Sequence, residues 1–418
     1  MRFNKFIIIS ILCMTVFMQG VLAQEQKETL KENVTLEEFL HLVSSNNLEY
    51  AAEKLNINIS EAELKASKVF PDPTLAIDYT DNKEDNTYVG HAYTYELSTT
   101  LELGGKRRAR IDIANSHKAM ADAILKDYFR NLKANASIAF LESLKTKQLY
   151  LIALDSYNTM KQLSKADSIQ LSLGNIAKID AIQSKLETGV LSNELLQSEV
   201  DYSNSIRELS ILTGEEKEVQ PKGKLNKSCK VFNVNTLSNQ ALNNRADLEV
   251  LKQNNAVSDN ELKLARREQL FDMDVKISLE NSYAKTASSP VGKALTAGIS
   301  IPLQFSNLNR GKIRMAKFKL EQTEIQYKHT ELSIKIEVQK AWAQYNTSCK
   351  QVRQYEQGLL SNAKEVLDGK IYSYKRGETS LLEVLNAQRT YNDVRIAYCE
   401  TIFNNAVAFV ELERTVGL

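Results

Sequence analysis

The chain has 418 residues, 25% of them charged and 7% aromatic, with a formal net charge of +1. A mean hydropathy of −0.34 argues against a bundle of transmembrane helices, and the composition is not that of a disordered tail. There is no long basic block in this near-neutral chain, so nucleic acid is not an expected partner.

The N-terminus reads as an export signal. Arg2 and Lys5 precede a short apolar core, "FIIISILCMTVFM" (6–18), and "VLA" (21–23) offers a cut after Ala23. The core is short for a membrane-spanning helix. Leu12 precedes Cys13 where a lipoprotein signal needs a small residue, so no lipid anchor is expected there. Losing Arg2 and Lys5 takes the mature charge to about −1. Residues 24–33 are polar and read as loose.

A helix is expected over 35–67. The period then changes from helical to alternating. "TLAIDYT" (74–80) and "TYELSTTLEL" (94–103) read as strands joined by the polar loop 81–91. In the second, Tyr95, Leu97, Thr99, Leu101 and Leu103 fall on one face. Residues 106–172 follow without a proline, which permits one helix of roughly 100 Å at 1.5 Å per residue. Gly174 offers a tight reversal, and a return helix is expected over 177–213, ended by Gly214. Residues 215–235 read as a linker outside the helices, with "CKVFNV" (229–234) as a candidate strand.

The plan then repeats. A helix is expected over 236–268. Strands follow at 271–279, with Phe271, Met273, Val275, Ile277 and Leu279 on one face, and at 295–305, joined by the polar loop 284–293. A long helix is expected over 310–376, with a packing seam at Leu360, Ala363, Leu367, Ile371 and Tyr374. A reversal at Gly377 and a last helix over 379–416 complete the chain. All five prolines lie outside the long helices, at Pro71, Pro73, Pro221, Pro290 and Pro302.

A shift of 203 residues lays "LGNIAKIDAIQSKLE" (173–187) on "RGETSLLEVLNAQRT" (376–390), glycine on glycine and carboxylate on carboxylate. The mature chain therefore reads as two copies of one architecture. The first repeat runs over 24–214, with a hairpin at 73–103 and a helical tip near 174. The second runs over 236–418, with a hairpin at 271–305 and a tip near 377.

Each strand has the length that crosses a bilayer when tilted. A soluble edge hairpin packed on helices is the competing reading of the alternation. Four strands cannot close a barrel, and an open edge in lipid is costly. If the strands enter a membrane, several chains must share one barrel. Three chains would supply twelve strands and surround a helical cylinder.

Four features together resemble the TolC family of outer-membrane channel proteins over essentially the whole mature length. They are the duplicated helix–hairpin–helix–helix plan, "FPDPTL" (70–75), "RGK" (310–312) and the glycine-to-carboxylate reversal used twice. "LELGGKRRAR" (101–110) resembles the CzcC-type branch that serves heavy-metal pumps of the resistance-nodulation-division class. The resemblance implies an α+β membrane protein, a homotrimer whose twelve-stranded outer-membrane barrel continues into a periplasmic α-helical barrel. It implies passive conduction from a periplasmic adaptor (membrane fusion) protein and an inner-membrane pump, in the outer membrane of a Gram-negative cell, with no enzymatic activity. Drug or protein export is the alternative within the family. A periplasmic coiled-coil adaptor without a pore is the alternative outside it.

By the same resemblance, Asp180 and Glu383 match acidic positions at a constricted tip, while Asn386 stands where some members have a second acid. Tyr374 matches a tyrosine that helps hold the closed state. Thr379 occupies a position where an arginine can serve, and Arg376 lies close enough to substitute. Gly174 and Gly377 are the tip turns. Threefold symmetry would turn each tip acid into a cation-attracting ring. The competing reading is a helix-start carboxylate favoured by the helix dipole.

Other chemistry is sparse. "GGKRRAR" (104–110) lacks phosphate-loop spacing and reads as a basic cluster at the barrel–helix junction, placed to meet lipid headgroups. His41, His91, His117 and His329 are dispersed, so no metal site is expected. Cys229, Cys349 and Cys399 show no CxxC spacing and read as buried free thiols, not as a disulfide framework. Trp342 reads as packing, and no cofactor is expected.

Overall fold

The computed structural model describes residues 32–84, 87–215, 217–284, 292–303 and 309–418. The export signal with its cut after Ala23, Cys13, Pro290, most of the loop 284–293 and the end of the strand expected over 295–305 lie outside the described residues.

A short strand, β1 (Glu32–Val34), precedes α1 (Leu36–Asn46). Thr35 and Glu38 close a capping box, with the Thr35 amide donating to the Glu38 carboxylate at 2.7 Å. The helix expected over 35–67 is in fact two. Asn47 takes an extended conformation, is 4% exposed, and its side-chain amide donates to the Leu212 carbonyl at 2.9 Å. Its backbone amide still closes the last turn of α1 on the Val43 carbonyl at 3.0 Å, but the extended backbone stops the helix there, and α2 (Leu48–Ser67) begins afresh. The linker strand is β4 (Val219–Pro221), not 229–234, and it pairs in parallel with β1. Glu32 and Asn33, within the stretch expected to be loose, are held by this pairing.

Four strands make one antiparallel sheet in the order β2 (Thr74–Glu84), β3 (Thr87–Leu101), β5 (Met273–Ala284), β6 (Gly292–Ser300). The register places Leu75 opposite Leu97, Leu97 opposite Ile277, and Ile277 opposite Ala297. Directly opposed residues share a face. One face therefore carries Leu75, Ile77, Tyr95, Leu97, Ile277, Leu279, Leu295 and Ile299, all exposed. The other carries polar groups, including the Lys276–Glu96 ion pair at 3.1 Å and a Thr100–Asp274 hydrogen bond at 2.6 Å.

The first helical hairpin is α3 (Lys106–Ser172), 67 residues, and α4 (Lys178–Thr213). Gly214 ends α4 at φ +66, and a Cβ there would sit 2.6 Å from the Asn46 carbonyl oxygen, so the position requires glycine. The second half supplies α5 (Val234–Asn244), α6 (Ala246–Arg267), α7 (Arg310–Gln354), α8 (Leu360–Lys375) and α9 (Leu381–Val416). The helix expected unbroken over 310–376 is interrupted by a π turn, Tyr355–Leu359, in which Gly358 takes φ +121. Glycine alone reaches that conformation cheaply, and it accommodates an extra residue in the turn.

The chain packs as two compact units, and each draws on both sequence halves. Of the described residues, one gathers those up to Leu48 with Asn131–Val231 and Ala341–Glu413; the other gathers Glu49–Arg130, Phe232–Lys340 and Arg414–Leu418. Met160, Leu191, Leu381 and Leu385 form a buried cluster in the first, while Leu262, Ala265 and Ala316 do so in the second.

The basic run after β3 is spent mostly within the second unit. Gly104 and Gly105 turn the chain at φ +73 and +70. Lys106 is buried and pairs with Asp272 at 2.8 Å. Arg107 donates to the Lys68 carbonyl at 2.9 Å, and Arg110 grips Glu102 through its two terminal nitrogens. The cluster stands at the strand–helix junction as expected, with most of its cations engaged by the protein and Arg108 the exposed member. The run locks the strand–helix corner, because buried and half-buried cations need fixed partners.

Candidate functional site: the paired helical tips

Both tips lie in the first unit and end their long helices by the same device. The Gly174 amide donates to Leu171 at 3.0 Å and the Asn175 amide to Gln170 at 2.9 Å; the Gly377 amide donates to Tyr374 and the Glu378 amide to Ser373, each at 2.9 Å. These are two Schellman motifs 203 residues apart, with their glycines at φ +76 and +78. The repeated phrase is thus a repeated helix stop. Asp180 and Glu383 occupy the third position of α4 and α9, in the first turns.

A cavity of about 990 Å³ lies between the tips, with Asp167, Gln170, Asp180, Tyr374 and Gln388 in its wall. The Tyr374 hydroxyl donates to Asp167 Oδ1 at 3.0 Å, fastening α8 to α3 across 207 positions of sequence. Asp167 is 2% exposed. Burial pushes its carboxyl above the usual range, against the pull of the Tyr374 hydrogen bond, and the Asp180 charge adds to the rise. Burial and the same carboxylates push the Tyr374 phenol up as well. The tyrosine therefore stays a neutral donor.

The remaining expected tip residues are arranged otherwise. Glu383 is not a free acid. Lys370, on the helix before the turn, forms a salt bridge with it and lowers its pKa. Arg376 does not reach Tyr374 or Asp167. It pairs with Glu378 at 2.9 Å and donates to the Tyr372 hydroxyl at 2.8 Å. Asn386 is exposed and Thr379 half-buried. Asp167 and Lys370 were missed by sequence reasoning. The repeat held a signal for both, since the same shift superposes one on the other.

A second constellation holds the linker. Cys229 and Cys349 form a disulfide with a Cα–Cα distance of 5.6 Å, correcting the free-thiol expectation for both. Among the described residues only Cys399 is free, and burial raises its thiol to about 11. Around the disulfide, the Lys230 amide donates to the Tyr345 hydroxyl at 2.6 Å and the Ser228 amide to Asn405 Oδ1 at 2.9 Å. Tyr345 and Asn405 are both fully buried. Lys227 pairs with Glu356 at 2.6 Å. The stretch 227–230 is thus bound to α7 and α9 without forming a strand.

Residues 237–418 match the family described as Outer membrane efflux protein. Over 396 residues the chain is 22% identical to the cobalt-zinc-cadmium resistance protein CzcC of Cupriavidus metallidurans, covering 92% of this chain and 90% of that protein. Its fold is similar to that of the Campylobacter jejuni CmeC outer membrane channel, with a TM-score of 0.77 at 14% identity, covering 91% of this chain and 85% of that one. It is also similar to CusC, with a TM-score of 0.75 at 15% identity over 93% of this chain and 95% of that one.

Proposed function

We propose that this relative of the outer membrane efflux proteins is the outer-membrane channel of a tripartite efflux system, and that metal cations are its cargo. The likeness to a cobalt-zinc-cadmium resistance protein over nearly the full length of both chains supports the cargo. One observation carries the channel. A four-stranded sheet exposes a continuous apolar face, and its edge strands β2 and β6 have no further partner within the described chain. In lipid every strand edge must be paired. Three copies, each giving four strands, satisfy that requirement by closing a twelve-stranded barrel. The export signal, cut after Ala23, delivers the chain across the inner membrane. The helices extend into the periplasm, where a membrane fusion adaptor and an inner-membrane pump of the resistance-nodulation-division class load the duct.

In this reading Gly174 and Gly377 form the periplasmic tips. Tyr374 and Asp167 fasten one tip to the other, in keeping with a closed resting state. Asp180 belongs to the constriction, and Glu383, Asn386, Arg376 and Thr379 surround it. Conduction is passive and calls for no catalytic residue or cofactor.

Light scattering of the detergent-purified mature protein, corrected for bound detergent, tests the assembly. A trimer is expected. A stable monomer would leave four strands with open edges and refute the shared barrel. Cells lacking the protein should lose tolerance to divalent metals, and unchanged tolerance with its pump active would refute the cargo.

A further inference from the structure

The internal repeat supplies a comparison within one molecule. The shift of 203 residues that carries Gly174 onto Gly377 also carries Asp180 onto Glu383 and Asp167 onto Lys370. The two tips share a backbone and differ in charge at the same pair of positions.

In the second tip the pair is Lys370 and Glu383. They form a salt bridge across the turn while remaining 42% and 50% exposed. Such a contact pair carries no net charge, and its field falls off faster than that of a lone carboxylate. Arg376 and Glu378 cancel in the same way. Asn386 is neutral, as is Gln183, its counterpart in the first tip. In the first tip the pair is Asp167 and Asp180. Asp167 is buried and its Oδ1 is held by the Tyr374 hydroxyl. Asp180 is half-buried, lines the cavity, and has no ion-pair partner among the described residues. Lys178, two positions earlier on the same helix, makes no ion pair with it.

We propose that Asp180, and not Glu383, sets the ion preference of the tip, and that Lys370 is the residue that silences Glu383. The inference rests on the channel reading and deepens it. The duplicated scaffold would by itself place two equivalent acids per chain. A lysine in one copy leaves one of them effective, so an assembled ring carries half the negative charge that a tally of tip acids gives.

The test is the reversal potential of the purified protein in a planar bilayer under a potassium chloride gradient. Asp180→Asn should lower the cation-to-anion permeability ratio by about twofold or more, and Asp180→Glu should retain it. Lys370→Gln should raise the ratio by freeing Glu383. The double variant Lys370→Gln/Glu383→Gln should match the unaltered protein, because a neutral pair has been removed. A conducting protein whose ratio is unmoved by Asp180→Asn, or falls in the double variant, overturns the inference and leaves the channel standing. An assembled protein that passes no current overturns the channel reading and the inference with it.

Discussion

Replacing Tyr374 by phenylalanine removes one oxygen atom and leaves the ring in its hydrophobic cluster with Met160, Leu381 and Leu385. What is lost is the donor to Asp167 Oδ1, on a residue only 2% exposed. Leaving a buried acceptor without its partner costs about 1–3 kcal/mol. That corresponds to a shift of about 5- to 150-fold in the balance between packed and open tips. The pH dependence has a definite sign. Asp167 has a raised pKa in the folded tip, so the packed form gains stability as pH falls through that value and loses it as pH rises. The Tyr374 hydrogen bond opposes the rise, so the variant pushes the carboxyl further up. The deficit should be larger near pH 8 than in acid, where protonation of the carboxyl relieves the buried charge. Hydrogen exchange of peptides spanning the two tips, at both pH values, measures it. Exchange equal to that of the unaltered protein at the higher pH would refute the view that this bond holds the tips together.

Cys349→Ser should release the linker stretch; closure of a loop with a sequence separation of 120 is worth up to about 5 kcal/mol. Intact protein should resist thiol labelling at Cys229 and Cys349 until reduced, and ready labelling without reductant would contradict the disulfide. Gly358→Ala places a side chain at φ +121 and should cost about 1–3 kcal/mol in thermal unfolding; an unchanged melting temperature would show that the π turn relaxes freely. Leu97→Lys sets a charge between Leu75 and Ile277 on the apolar face of the sheet. If that face meets lipid, insertion should lose about 2–4 kcal/mol for a midplane position, read as protein shed from the outer-membrane fraction, whereas a soluble hairpin would show no such loss.

The features legible from the chain alone are local ones. The two-residue period of "FDMDVKISL" specifies which side chains share a face, and the strands of the sheet keep those faces. The proline-free stretch 106–172 becomes α3 residue for residue. Gly174 and Gly377 mark the helix stops because only a left-handed residue closes a Schellman motif cheaply. Even locally, Gly358 was overlooked, since a single glycine inside a helical pattern reads as tolerated.

What escaped the sequence is contact between distant segments. Asp167 meets Tyr374 across 207 positions, and Cys229 meets Cys349 across 120. Neither pairing has a spacing rule, because each depends on which faces of long helices come together. Asn47 breaks a helix for the same reason, its partner being the Leu212 carbonyl. Periodicity, turn chemistry and the repeat are properties of windows a few residues wide, so composition and order suffice to set them. The charge state of the tips is not such a property. Glu383 looked like a free acid until folding brought Lys370 beside it across the turn, and Asp167 looked like one more solvated carboxylate until packing buried it.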